Sequence, residues 1–197
     1  LGVILDAYTV YYDLVLCNLD GDVIANGRPH QYASQGMNCA GQQWFKEAKA
    51  TRSGEEFGFE AVHASRLVRG SRVLAYSCGV RKDGNANAPL VGVLGILFNW
   101  DALAGNIVKQ TPIQASEWPR TRVCIVDEEG HFLADTQGGE ISQKVDIPVF
   151  STMKQQKKGF EQCEYFGSDT LVACAKAPGY ETYSTGWYSL IIQTMER

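Results

Sequence analysis

One short phrase occurs twice in this chain, and the repetition limits its architecture more than any other feature. Cys17–Asn26 (CNLDGDVIAN) is echoed by Cys124–Asp135 (CIVDEEGHFLAD). Each copy reads as an apolar strand, an acidic-glycine turn and a second short strand. A long intervening stretch then leads to further strands, the last of them strongly apolar: Leu90–Trp100 after the first copy, Trp187–Thr194 after the second. Two similar modules in tandem satisfy this pattern. With 197 residues, each module has roughly a hundred, and the 45% hydrophobic content is enough to give each its own core.

Between the landmarks the pattern is regular. In the first module, strands are expected at Tyr11–Leu19, Val23–Ala25, Phe57–His63, Arg72–Val80 and Leu90–Trp100. The helical spacing of Trp44, Phe45 and Ala48 predicts a helix over Gln42–Ala50. Leu90–Trp100 is so evenly apolar that it is expected at the centre of a sheet, covered on both faces. Asp101–Lys109 suits a helix that starts on an acidic residue. Thr111–Arg120, with Pro112 and Pro119, reads as the connection, so the modules are expected at 1–112 and 113–197. The second repeats the order with strands at Arg122–Asp127, His131–Ala134, Gly159–Tyr165, Thr170–Ala177 and Trp187–Thr194, and a short helix at Phe150–Gln156. The expected fold is therefore α+β: two PAS-like modules, each a five-stranded antiparallel sheet with helices on one face.

The composition excludes several functions. Net charge is −4 with Lys and Arg scattered, which is a poor footprint for nucleic acid. No apolar stretch is long enough to span a bilayer. The chain starts at Leu1 inside an apolar segment, so it reads as a portion of a longer protein. None of the six cysteines forms a CxxC pair, and the three histidines have no HxxxH spacing, so neither a metal nor a cofactor is expected. Cys163 and Cys174 flank Ser168-Asp169 at equal distances. A hairpin closing symmetrically there would bring the two thiols opposite each other within disulfide range; two half-buried free thiols are the alternative.

Four segments carry a family resemblance. LVLCNLDGDVIANG (residues 14–27), Trp44-Phe45-Lys46-Glu47-Ala48, the strand pair Leu74-Ala75-Tyr76-Ser77 and Leu90–Gly95, and Pro178–Tyr183 with Gly186-Trp187-Tyr188 together resemble the double Cache domain. That family supplies extracytoplasmic sensors to bacterial chemoreceptors and other transmembrane signalling proteins. The resemblance implies a small-molecule ligand in the membrane-distal module and a homodimer in the full receptor. It also implies a periplasmic location, with the membrane reached through flanking helices. In the family's amino-acid-binding members an Arg precedes the helix Trp by two positions and an Asp lies on the last distal strand. Gln42 and Leu97 stand at those places here. The cation that would grip a carboxylate bidentately is missing, and so is an anion for an α-ammonium.

By the same resemblance, a pocket between helix and sheet is expected from Trp44, Phe45, His63, Tyr76, Cys78 and Asn99, with Gln42 at its rim. Two other readings compete. A structural or dimerisation module would fill that space with its own side chains. An enzyme would use Cys78 or His63 as its reactive group, although no base and orienting residue accompany either at recognisable spacing. No catalytic residue is expected.

Overall fold

The computed structural model describes residues 1–138, 143–179 and 184–196. The chain divides into two compact units, Leu1–Leu103 and Ala104–Arg197. Unit 1 contains α1 (Gly2–Ala7), β1 (Tyr11–Cys17), β2 (Val23–Asn26), α2 (Gln43–Ala50), β3 (Phe57–Ser65), β4 (Ser71–Arg81) and β5 (Leu90–Asn99). Helix α3 (Trp100–Lys109) carries the chain across the boundary. Unit 2 contains β6 (Thr121–Val126), β7 (Phe132–Asp135), α4 (Phe150–Gln156), β8 (Lys158–Tyr165), β9 (Ser168–Lys176) and β10 (Tyr188–Thr194). Both sheets are antiparallel and share one topology, β2-β1-β5-β4-β3 and β7-β6-β10-β9-β8. No helix of the described residues is long and apolar enough to cross a membrane.

The repeat heard in the sequence is a repeat of hydrogen bonds. Asn18 accepts from the Gly21 N–H at 3.1 Å, and its Oδ1 accepts from the Asp22 N–H at 2.8 Å. Asp127 does the same with Gly130 at 3.1 Å and His131 at 2.8 Å. Both turns need a glycine at positive φ, +91° at Gly21 and +89° at Gly130. Asp127 therefore corresponds to Asn18. The alignment that sets Cys17 against Cys124 is two residues out: Cys17 matches Val126, and Cys124 matches Val15 in register. The short polar side chain at the turn's first position is what both copies share.

The equivalence extends to buried polar pairs. In unit 1, Asn26 Nδ2 donates to Asp13 Oδ2 at 2.7 Å. At the matching strand positions of unit 2, Arg122 donates to both oxygens of Asp135 at 2.9 and 2.6 Å. The Asp135 carboxylate is fully buried, and its hydrogen bonds raise the Arg122 guanidinium still further above its ordinary value. Asp13, also fully buried, accepts from the backbone N–H groups of Leu14, Gly27 and Arg28 as well. It thereby fixes the exit from β2.

Strand β5 is central in its sheet, as its composition predicts. It is not covered on both faces. Val93, Gly95 and Leu97 are buried, while the alternate residues Leu94, Ile96 and Phe98 are half-buried. The hairpin β8–β9 also differs from expectation. It closes at Phe166-Gly167, with Tyr165 opposite Ser168. Cys163 consequently lies opposite Thr170 and Cys174 opposite Gly159, and both thiols are free. Of the Pro178–Tyr183 phrase, residues 180–183 lie outside the described residues.

Candidate functional site

Side-chain alternation sorts the expected site residues onto two faces of the first sheet. Ser77 Oγ donates to the Trp44 carbonyl at 2.6 Å, so the face of β4 carrying Val73, Ala75 and Ser77 is the one under α2. Registers across the sheet add Asp13, Val15 and Cys17 from β1 to that face, and Val93, Gly95, Leu97 and Asn99 from β5. Tyr76 and Cys78 have the other parity. The Tyr76 ring packs against Phe59 at 5.2 Å, Phe98 at 5.6 Å and Phe57 at 6.0 Å between centroids, all away from α2. Tyr76 and Cys78 therefore do not share a pocket with Trp44. Both parities of β4 are apolar enough to be buried, and only the seat of the helix decides between them.

Helix α2 lies unusually close to its sheet. A methyl group placed on Gly58 would come within 2.8 Å of the Ala48 nitrogen and the Trp44 carbonyl oxygen, and one on Gly95 within 2.8 Å of the Trp44 ring. The indole thus lies directly on β5 backbone. Trp44 and Phe45 are 0% and 2% exposed, with ring centroids 6.0 Å apart at a near-perpendicular angle. They belong to one core cluster with Tyr32, Val68, Val73, Ala75 and Leu97.

The N-terminal end of α2 is polar in a way the sequence reading missed. Glu60 Oε2 accepts from the Trp44 N–H at 3.1 Å, placing a carboxylate where the helix presents free donors. A bulge between Glu60 and His63 inserts an extra residue into β3 and turns both side chains to the α2 face. His63 Nδ1 lies 2.8 Å from the Ala61 carbonyl oxygen and 3.9 Å from Glu60 Oε1. A carbonyl only accepts, so in the neutral ring Nδ1 carries the proton and Nε2 is an acceptor. Among the described residues, that Nε2 is buried without a partner, and so is the Trp44 Nε1–H donor. Gln42 takes the N-cap position of α2 without a side-chain capping bond. Asn99 lies on the same face in the row of His63, with Val73 between them, and its Oδ1 accepts from Ala102 N–H at 3.1 Å at the start of α3.

The loop of residues 27–41 runs beside this end of the helix and is held by arginines. Arg28 donates to the carbonyls of Tyr11, Tyr12 and Leu5. Arg66 donates to the Asn38 carbonyl and Arg69 to that of Gln31. Arg69 also lies over the Tyr32 ring, 5.9 Å from its centroid. Arg72 pairs with Asp101. These cations serve the fold rather than forming an open anion cradle. On the other face, burial pushes the Cys78 thiol upward, the opposite of what activates a nucleophile. In unit 2, Asp127, Glu129 and His131 bring ligand atoms within 4.8 Å of one another. Asp127 is already engaged there by the His131 backbone and ring nitrogens.

A fold of two such modules has counterparts among solved structures. The sensor domain of the V. cholerae histidine kinase DctB superposes with a TM-score of 0.68 at 12% identity, over 100% of this chain and 77% of that one. The ligand-binding domain of the Campylobacter jejuni chemoreceptor Tlp3, solved with 4-methylisoleucine, gives 0.67 at 18% identity over 98% and 70%. That of the Pseudomonas fluorescens chemoreceptor CtaA, solved with L-leucine, gives 0.62 at 13% over 96% and 73%. No curated protein matches the chain in sequence. The Cache-domain family model matches residues 3–197. The chain therefore belongs to the Cache family, as an extracytoplasmic, two-module sensing domain of a transmembrane receptor.

Proposed function

We propose that unit 1 binds a small organic molecule at the N-terminal end of α2, and that occupancy shifts a conformational equilibrium read by the rest of a receptor. One observation carries this reading. A buried donor, Trp44 Nε1–H, and a buried acceptor, His63 Nε2, lie on one face of one sheet, each without a partner among the described residues. Buried polar atoms without partners are costly, and a ligand that pairs with them recovers that cost. Trp44, Phe45, His63 and Asn99 would contact the ligand, with Gln42 at the entrance.

Tlp3 and CtaA were solved with aliphatic amino acids or close analogues. With Gln42 in place of a cation and Glu60 nearby, a free carboxylate is poorly served here. We therefore propose a neutral or amine-bearing ligand with an apolar body. Residues 1–112 would form the membrane-distal module and 113–197 the membrane-proximal one, in a receptor that pairs as a homodimer and reaches the membrane through flanking helices.

A thermal-shift panel of amines, alcohols, amides, amino acids and dicarboxylates tests the proposal on the purified chain. A ligand present at a hundred times its Kd stabilises by about 2.7 kcal/mol, a shift of several degrees. Trp44→Phe keeps the aromatic bulk and removes the donor, so it should weaken that ligand about tenfold or less. The competing reading, a module filled by its own side chains, draws on the complete burial of Trp44 and Phe45. It is favoured if no compound in the panel moves the melting temperature.

A further inference from the structure

We propose that Cys17 and Cys39 are a disulfide-forming pair that staples the 27–41 loop to the end of β1 in the first sheet. Cys17 ends β1 on the α2 face, opposite Val23. Cys39 lies on a short antiparallel bridge made by Asp22 and Asn38, where its N–H donates to the Gly21 carbonyl at 2.7 Å and Val23 N–H donates to Met37 at 2.9 Å. The two cysteines thus approach each other from either side of Gly21–Val23. They are 0% and 1% exposed and share one core cluster as free thiols, and each is the main cause of the other's shifted titration, Cys17 upward and Cys39 downward.

Unit 2 provides an internal control. There the same bridge is made by His131 and Lys144, with Val145 N–H donating to the Gly130 carbonyl at 2.8 Å. The positions of Cys17 and Cys39 are taken by Val126 and Val145, both in the second core. The fold fills this contact with two aliphatic side chains, so packing alone does not require sulfur at both places. The other cysteines have no such arrangement: Cys124 and Cys174 lie on either side of Leu190, two strands apart, and Cys163 and Cys174 are out of register.

The thiolate of either cysteine attacks a disulfide of an external small-molecule or protein oxidant and expels one thiolate. The other cysteine, deprotonated, then attacks the protein sulfur of the mixed disulfide and expels the second. One disulfide is reduced to two thiols as the Cys17–Cys39 bond forms, so electrons and protons balance. Both sulfurs are buried in the finished fold, so the exchange belongs to folding, and an extracytoplasmic compartment supplies the oxidising conditions.

The test is to refold the full chain in glutathione buffers from reducing to oxidising, alkylate it after denaturation, and map the peptides by mass. The expected result is two of the six thiols lost and one cross-linked species joining the Cys17 and Cys39 peptides. The melting temperature should be higher in the oxidised form by about 10 °C, as expected for a closed loop of this length. The double variant Cys17→Ala/Cys39→Ala should show no redox-dependent shift. Six alkylated cysteines at every poise, a link between any other pair, a linked wild type that melts as the reduced one does, or a shift that survives in the double variant would each overturn the proposal.

Discussion

At the level of single residues, unit 1 depends on polar side chains that satisfy backbone. Asp13 is fully buried and accepts hydrogen bonds from three backbone N–H groups and one amide. Asp13→Ala should therefore cost roughly 2–4 kcal/mol, since it strands several donors at once; urea unfolding would show the loss as a lower midpoint with an unchanged slope. Asp22 makes a subtler contribution. The amide of Asn38, and then that of Asn18, hold its carboxyl below the ordinary value of 3.8. A carboxyl depressed by folding contributes stability above its unfolded value, and that contribution is lost as pH falls through the lower folded value. An NMR titration should place the Asp22 midpoint below 3.8, and Asn38→Ala should return it upward.

At the level of elements, the helix on the first sheet is the feature that matters for the site. Gly95→Ala would push a methyl to 2.8 Å from the Trp44 ring. The ring cannot move away without shifting α2, so the substitution should cost about 1–3 kcal/mol as overpacking. Tryptophan fluorescence would report the displaced indole, and urea unfolding the cost. Strand and helix existence was legible in the sequence almost throughout, because periodicity and turn residues act locally. Facing was not. Val73, Ala75 and Ser77 compete with Leu74, Tyr76 and Cys78 for the covered side, and nothing within β4 decides between them. The decision comes from Gly58, Gly79 and Gly95, which together clear a path for the helix backbone. The bulge at Glu60–His63 was equally hidden, since it alters parity without altering composition. The expected symmetry of the last hairpin failed for a similar reason: Gly167 at φ +73° moved the turn two residues earlier and carried Cys163 away from Cys174.

At the scale of the whole molecule, the repeat was the most legible feature, because a turn that demands a glycine and a short polar residue leaves a mark in sequence. Its consequence for function is an asymmetry between like modules. Unit 1 has the tryptophan helix and the unpartnered Trp44 and His63 atoms; the corresponding part of unit 2 packs Phe150 and Met153 into its core. If unit 1 is the binding module, amide exchange should slow on ligand addition at residues 27–50 and 57–65, and the interior strands of unit 2 should be unaffected. Protection gained equally in both sheets would contradict that division.

The glycine path beneath α2 also bears on how such a module could report occupancy. At these glycines the helix backbone rests on strand backbone, and the side chains that interlock helix with sheet are those of Trp44, Phe45 and Ala48. Polar pins hold it along its length: the Ser77 hydroxyl on the Trp44 carbonyl, the Glu60 carboxylate on the Trp44 amide, the Glu47 carboxylate on the Phe59 amide, Lys49 on the Leu19 carbonyl and Arg81 on the Thr51 carbonyl. A rod fastened at both ends moves together with what it is fastened to, and because two of its fastenings fall on Trp44, a guest gripping that residue would have direct leverage on helix and strand at once.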